Sequence, residues 1–227
     1  MSLTASQIVA KACKIAKCPG YTVDGGQELN LTLLDLSMHR NLKVNLVTSQ
    51  IAVPAYSNGP FNLEADYLRT YDLSFVDTAG QVYFLEPASL REYDQEYKTA
   101  GFGNYPYEWA TDLSGNAGLL FIYPQSNAQL SLQHRYYLKR PDIATPETSN
   151  LTPWFEDSDY LVVATAARLM RITDDDRRLA FVQECEQLLR SHLMTEGDEQ
   201  QVVKEVKLDP RRFRINGRLK PTKDDPW

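Results

Sequence analysis

The spacing of apolar residues changes twice along this sequence, and that change constrains the fold more than any other feature. Near both ends, apolar residues recur every three to four positions, as in amphipathic helices. Between about residues 64 and 138 they alternate with polar residues, which is typical of strands. We therefore predict an α+β fold: an α-helical bundle of N-terminal and C-terminal helix pairs, with an inserted small antiparallel β module and an extended C-terminal tail.

The two N-terminal helices are predicted from capping and stop signals. Thr4 and Gln7 have the spacing of a capping box, and Pro19 and Gly20 stop the helix that follows. A second helix is predicted over residues 27–51, where leucine, valine and isoleucine keep a helical spacing. Residues 1–56 thus supply one half of the bundle.

The remaining elements follow from the same patterns. We predict a strand from Tyr67 to Phe75, a turn at residues 77–80, a capped helix opening at Ser89, a strand over residues 119–123 buried on both faces, and a strand from Leu130. Two helices close the fold, one over residues 158–172 and one capped by Thr173 with Asp176. The domains are then residues 1–56 and 156–196 for the bundle, 60–140 for the β module, 141–155 for a proline-rich connector and 197–227 for the tail.

Charge and composition narrow the class of protein. The net charge is −6, whereas proteins that grip nucleic acid over a broad surface are basic. Eight basic and four acidic residues give residues 200–227 a charge of +4, which leaves −10 for the rest. Three cysteines without a CxxC pair fit a reducing compartment. With no signal-peptide pattern and no long apolar run, we expect a soluble protein made in the cytosol and no membrane contact.

Catalytic motifs are absent from the sequence. No phosphate-binding loop, zinc-protease motif or nucleophile elbow occurs, and the three histidines stand in separate elements. His134 and His192 lie on apolar faces, where a structural role is favoured, and Cys13 and Cys185 are expected in the core. The acidic runs near Asp157 and Asp174 stand at predicted helix starts, where capping explains them. We expect no catalytic residue, metal or cofactor, although a glycosidase-like acidic pair is left open.

Two segments have the composition of recognition surfaces. The first is a loop whose aromatic residues are spaced by glycine and proline. It either binds another protein or folds over its own β module; its candidate residues are Tyr97, Phe102, Tyr105, Tyr107 and Trp109. The second is the basic tail, where apolar residues between the charges favour ordering on an acidic partner; its candidate residues are Val203, Val206, Leu208, Arg211, Arg212, Phe213, Arg214 and Ile215.

The order of these parts resembles a known family. The resemblance rests on Leu29-Asn30-Leu31, Leu34-Asp35-Leu36, Tyr67-Leu68-Arg69, Phe84-Leu85-Glu86-Pro87 and His134-Arg135-Tyr136-Tyr137-Leu138-Lys139-Arg140-Pro141. This arrangement is similar to the head-to-tail adaptors (connectors, tail accessory or head-completion proteins) of tailed bacteriophages. The resemblance implies a homo-oligomeric ring, commonly a dodecamer, which docks on the portal protein, extends the DNA channel and offers an attachment site to tail or nozzle proteins. It also implies that residues 200–227 contact the portal or a neighbouring subunit, and that the aromatic loop contacts a tail protein or a neighbouring subunit.

We therefore expect a non-enzymatic structural protein of the virion, located at the head–tail junction, through which DNA passes without specific binding. Two alternatives belong to other classes. One is a tail-associated cell-wall hydrolase that uses an acidic residue pair, and the other is a nucleic-acid-binding regulator, which the acidic body disfavours.

Overall fold

The computed structural model describes residues 2–97, 102–115 and 118–196, and every structural statement below concerns these residues. They form five α-helices, named α1 (Ala5–Ile15), α2 (Thr22–His39), α3 (Leu90–Glu92), α4 (Ser158–Ile172) and α5 (Arg178–Glu196). They also form ten strands, named β1 (Leu46–Val53), β2 (Phe61–Asn62), β3 (Tyr67–Val76), β4 (Val82–Phe84), β5 (Glu86–Pro87), β6 (Phe102–Gly103), β7 (Glu108–Asp112), β8 (Leu119–Tyr123), β9 (Gln125–Ser126) and β10 (Leu130–Leu138). No helix in these ranges is long and apolar enough to cross a bilayer.

The strands form two four-stranded sheets and one two-stranded ribbon. The first sheet has the order β1-β10-β3-β4 and is antiparallel throughout, while the second has the order β2-β8-β7-β5. The pairs β5–β7 and β6–β9 are parallel. The two sheets share one apolar core, to which β1, β3 and β10 contribute from one side and β8 from the other; its buried members are Val53, Leu63, Leu73, Phe75, Leu85, Leu120, Ile122 and Leu132.

The predicted fold class, a helical bundle with a small inserted antiparallel β module, is therefore wrong. The chain is α+β with two sheets of comparable size, and part of its strand pairing is parallel. The predicted helix over residues 27–51 contributes to the error, because α2 ends at His39 and residues 46–53 form β1. Val47, Ile51 and Val53 have branched side chains that suit a strand, and pairing with β10 along the whole of β1 overrides the helical spacing.

Other local predictions are confirmed. Thr4 accepts a hydrogen bond from the Gln7 backbone and donates its own N–H to the Gln7 side chain, which completes the capping box of α1. Ser89 and Glu92 form the same motif at α3. The strand β8 lies where expected, but only Leu120 and Ile122 are buried, so its faces alternate.

The long helices pack around α4, which contacts α1, α2 and α5. Gly25 permits the close approach of α1 to α2, since a Cβ there would lie 3.0 Å from Val9 Cγ1 and 3.1 Å from Cys13 Sγ. Asp157 caps α4 by accepting two backbone N–H bonds. Thr173 closes α4 through its N–H bond to Leu169 rather than opening α5, so its predicted capping role is wrong.

Arg69 joins α2 to the first sheet, and Arg140 joins the segment after β10 to the segment before β1. The Arg69 guanidinium donates to the carbonyls of Ser37, Met38 and Arg40 at the end of α2, at 3.3, 2.8 and 2.7 Å, and stacks over Tyr137. Arg140 donates to the Val44 carbonyl at 2.7 Å and to Asn45 Oδ1 at 3.1 Å. Because carbonyls at a helix end lack intrahelical partners, Arg69 fixes where α2 stops.

Candidate interaction surface

The most exposed apolar group on the β part lies along β4, at one edge of the first sheet. We call the side chains of Val76, Val82 and Phe84 the apolar edge; Val82 is 54% exposed and Phe84 is 66% exposed. Val76 pairs with Val82 across β3 and β4, so the two side chains are neighbours. The hairpin turn that precedes β4 is held by Asp77, whose carboxylate accepts the N–H groups of Ala79 and Gln81, both at 2.8 Å.

Aromatic stacking fixes β4 in place from its other face. Tyr83 stacks on Phe75 with ring centroids 5.2 Å apart and on Tyr105 at 5.6 Å. Tyr105 also lies 5.2 Å from Phe75, which is almost fully buried. Since Phe75 and Tyr105 hold the strand through its own Tyr83 on one face, Val82 and Phe84 point outward from the other face on a rigid support.

The opposite edge of the same sheet is β1, and it is equally open to pairing. Within the described chain β1 pairs with β10 alone. Its eight residues contain no charge, proline or glycine, and its register with β10 is regular. Proteins usually protect free edges with lysine, proline or a bulge, and β1 has none of these.

The aromatic residues of the predicted loop fall into different environments. Tyr105 and Trp109 pack against the β core, and the Trp109 indole donates to the Leu85 carbonyl at 3.2 Å. Tyr107 is half exposed and meets Tyr123 edge to face at 5.6 Å. The side chains of Tyr97 and Phe102 lie outside the described part of the chain. Two residues of the loop thus support its own module and one remains accessible.

The tail residues proposed for portal contact lie outside the described residues. This applies to all eight, from Val203 to Ile215. The structure does, however, reveal the two sheet edges, which sequence reasoning missed. The signal for β1 was present, because residues 46–53 are uncharged and rich in branched side chains, but their apolar spacing also fitted a helix.

Two thiols and one imidazole owe large pKa shifts to burial. Burial raises the pKa of the Cys13 thiol to about 11 and of the Cys185 thiol to about 12, so both stay protonated and weakly nucleophilic. Burial lowers the pKa of His134 to about 4, and its Nε2 atom lies 3.0 Å from Thr70 Oγ1. His134 is fully buried and stacks on Tyr136, as its predicted structural role requires.

Within the described chain, the carboxyl groups whose pKa is shifted all have a lowered pKa, whereas a general acid has a raised one. Hydrogen bonds from Arg177 hold the pKa of Asp175 at about 2, and hydrogen bonds from Ser89 and Ser114 lower the pKa of Glu92 and Asp112 respectively. A glycosidase acid instead needs a raised pKa. Among the described residues, no group of three or more histidine, cysteine, aspartate or glutamate side chains has the arrangement of a metal site.

The described chain thus exposes two sheet edges and the half-exposed side chain of Tyr107. A scan against models of known protein families finds no match to this chain, and a search of curated proteins finds no significant similarity either.

Proposed function

We propose that this chain is a structural protein of a tailed-phage virion, a ring-forming head-to-tail adaptor that docks on the portal, extends the DNA channel and provides the attachment site for the tail. The observation that carries the proposal is a four-stranded sheet whose two edge strands, the eight-residue β1 and the three-residue β4, contain no charged residue and each pair on one side alone within the described chain. Neither edge is needed to complete the fold of the described chain, so both are free for partners.

A ring follows from the two edges when β4 of one copy meets β1 of the next. The contact uses a different surface on each copy, and such head-to-tail contacts generate closed rings when the rotation closes. Because all neighbours in β1-β10-β3-β4 are antiparallel, β4 would also run antiparallel to the β1 of a similarly oriented copy. Main-chain hydrogen bonds would then provide affinity, and the apolar edge would be buried.

The charge distribution supports the same role. The body carries −10 outside residues 200–227, so a channel lined by it would repel phosphate and let DNA pass without specific binding. The tail carries +4 with apolar residues between the charges, which suits docking on an acidic face of the portal or of a neighbouring copy. In this assembly the soluble single chain orders and oligomerises on the portal as a template.

The test is a mass measurement of the purified chain alone and after mixing with the portal protein encoded in the same genome. Native mass spectrometry should give a single chain in the first sample, and a complex with one adaptor ring, commonly of twelve copies, in the second. Electron microscopy of that complex should show an added ring that continues the channel. A mixture in which the chain stays unbound, or clearing of peptidoglycan by the purified chain in a zymogram, would overturn the proposal.

A further inference from the structure

A cavity of about 390 Å³ lies between α4, α5 and the end of α2. Ala164 and Ala167 on α4 are small and leave the space open, while Tyr160, Val182 and Leu189 provide larger apolar walls. The volume is within the range of cavities that hold small ligands. None of the contacts described for the interaction surface involves this cavity.

Four arginines line the cavity, namely Arg40, Arg168, Arg171 and Arg178. Two of them are neutralised by α2: Glu28 pairs with Arg168 at 3.6 Å and with Arg171 at 3.3 Å, and Asp35 also pairs with Arg168.

Arg40 and Arg178 have no ion-pair partner within the described residues, and Glu186 is the only carboxylate among the lining residues described. A cavity with apolar walls and two unpaired guanidinium groups selects a ligand that combines carboxylates with a large apolar group.

One segment of this chain has that composition. Residues 224–227 read Asp-Asp-Pro-Trp, so two adjacent carboxylates are followed closely by the largest aromatic side chain. Pro226 has no N–H group, which lowers the number of backbone donors that docking must satisfy. The segment is 28 residues beyond Glu196, the last residue of α5, and an extended chain of that length spans roughly 90 Å. Since α5 is itself a wall of the cavity, the segment can reach it within the same molecule.

We propose that the cavity between α4 and α5 is the intramolecular docking site of residues 224–227. The Trp227 side chain fills the apolar part, and the carboxylates of Asp224 and Asp225 pair with Arg40 and Arg178. Tethering raises the local concentration of the segment to the order of millimolar, so modest intrinsic affinity suffices. The inference is independent of the proposed virion role, because it concerns the single chain.

The test follows Trp227 in the full-length chain by fluorine NMR after 5-fluorotryptophan incorporation. The chain has three tryptophans, and Trp227→Phe assigns the relevant signal. In the unmodified chain we expect the Trp227 signal to differ from that of a free peptide of residues 220–227 and to be shielded from solvent. In the double variant Arg40→Glu, Arg178→Glu the signal should move toward the free-peptide position. The ratio of undocked to docked molecules should rise at least about tenfold, which corresponds to about 1.4 kcal/mol.

Two comparisons make the experiment specific. Arg190→Glu is the matched control, because Arg190 is an exposed arginine of α5 outside the cavity lining, and this variant should leave the signal in place. Adding Asp224→Arg and Asp225→Arg to the double variant should restore docking by exchanging the charges. Arg40 and Arg178 are both exposed, so the substitutions should leave the thermal unfolding midpoint nearly unchanged.

Three results would overturn the proposal. The first is a Trp227 signal at the free-peptide position in the unmodified chain. The second is a shift of the Trp227 signal in Arg190→Glu as large as that in the double variant, or a failure of the exchanged charges at positions 224 and 225 to restore the docked signal. The third is loss of the docked signal on dilution, since an intramolecular contact is independent of concentration and a contact with a second copy or an external acidic partner is not.

Discussion

Replacing Phe84 by lysine should prevent ring assembly without destabilising the subunit. Phe84 is 66% exposed at the apolar edge, so the folded chain derives little stability from it. In a contact between β4 and the β1 of another copy, the same ring would become buried. Lysine at an exposed edge is also the residue that proteins use to block strand pairing.

The size of the effect follows from the exposed area. A fully buried aromatic side chain removes about 150–250 Å² from water, so the exposed two-thirds of Phe84 corresponds to roughly 100–165 Å². At about 25 cal/mol per Å² this is worth about 3 kcal/mol in each contact, or roughly a hundredfold in the association constant. Because every subunit of a ring makes two such contacts, the loss accumulates around the ring.

The assay is sedimentation velocity of Phe84→Lys mixed with the portal protein, beside Leu151→Lys as the matched control. Leu151 is 63% exposed and lies outside both sheets, so its replacement should leave assembly intact. Urea unfolding should place both variants within about 0.5 kcal/mol of the unmodified chain. If Phe84→Lys forms the same complex as the unmodified chain at equal concentrations, the β4 edge does not join subunits and the reasoning is refuted.

Three further predictions address the tail, a buried histidine and the link between helices and sheet. Deleting residues 200–227 should leave a folded single chain that no longer binds the portal in a pull-down, and normal binding would disprove the role of the tail. His134 has a folded pKa of about 4 and an ordinary value of 6.5, so it stays neutral in the folded chain while the unfolded chain takes up a proton. Neutral His134 therefore contributes to the free energy of unfolding fully above pH 6.5, and this contribution is lost as the pH falls toward 4, by about 3 kcal/mol in total. Urea titrations at a series of pH values should show this loss in the unmodified chain and not in His134→Gln. Equal pH dependence in the two proteins would contradict the prediction. Arg69→Met should lower the free energy of unfolding by about 2 kcal/mol, because it removes charged hydrogen bonds to the end of α2; the exposed Arg91→Met is the control, and an equal loss in both variants would exclude the specific role of Arg69.

The motifs that carry the family resemblance are now explained in part by their contacts. Arg69 connects the end of α2 to the first sheet, and Arg140 connects the segment after β10 to the segment before β1. Arg135 pairs with Asp72 at 3.1 Å across β10 and β3. Tyr136 donates to Asp66 at 3.1 Å. These contacts therefore stabilise the first sheet and attach it to α2.

The sequence was sufficient to predict features that depend on residues only a few positions apart. The capping boxes at Thr4 and Ser89 satisfy backbone groups within one turn, and the buried position of His134 follows from its place in an alternating strand. No tertiary contact is needed to predict the capping boxes or the alternation of buried and exposed residues in a strand.

Tertiary structure alone decided the strand β1, the two open sheet edges and the arginine-lined cavity. Val47 and Ile51 are spaced for a helix, but hydrogen bonding to β10, more than eighty residues away, makes their segment a strand. Arg40 directly follows α2, whereas Arg168 lies on α4 and Arg178 on α5, so the three arginines meet only because these helices pack together. Strand pairing and helix packing between distant segments depend on the whole chain. The spacing of apolar residues within one segment therefore does not predict them.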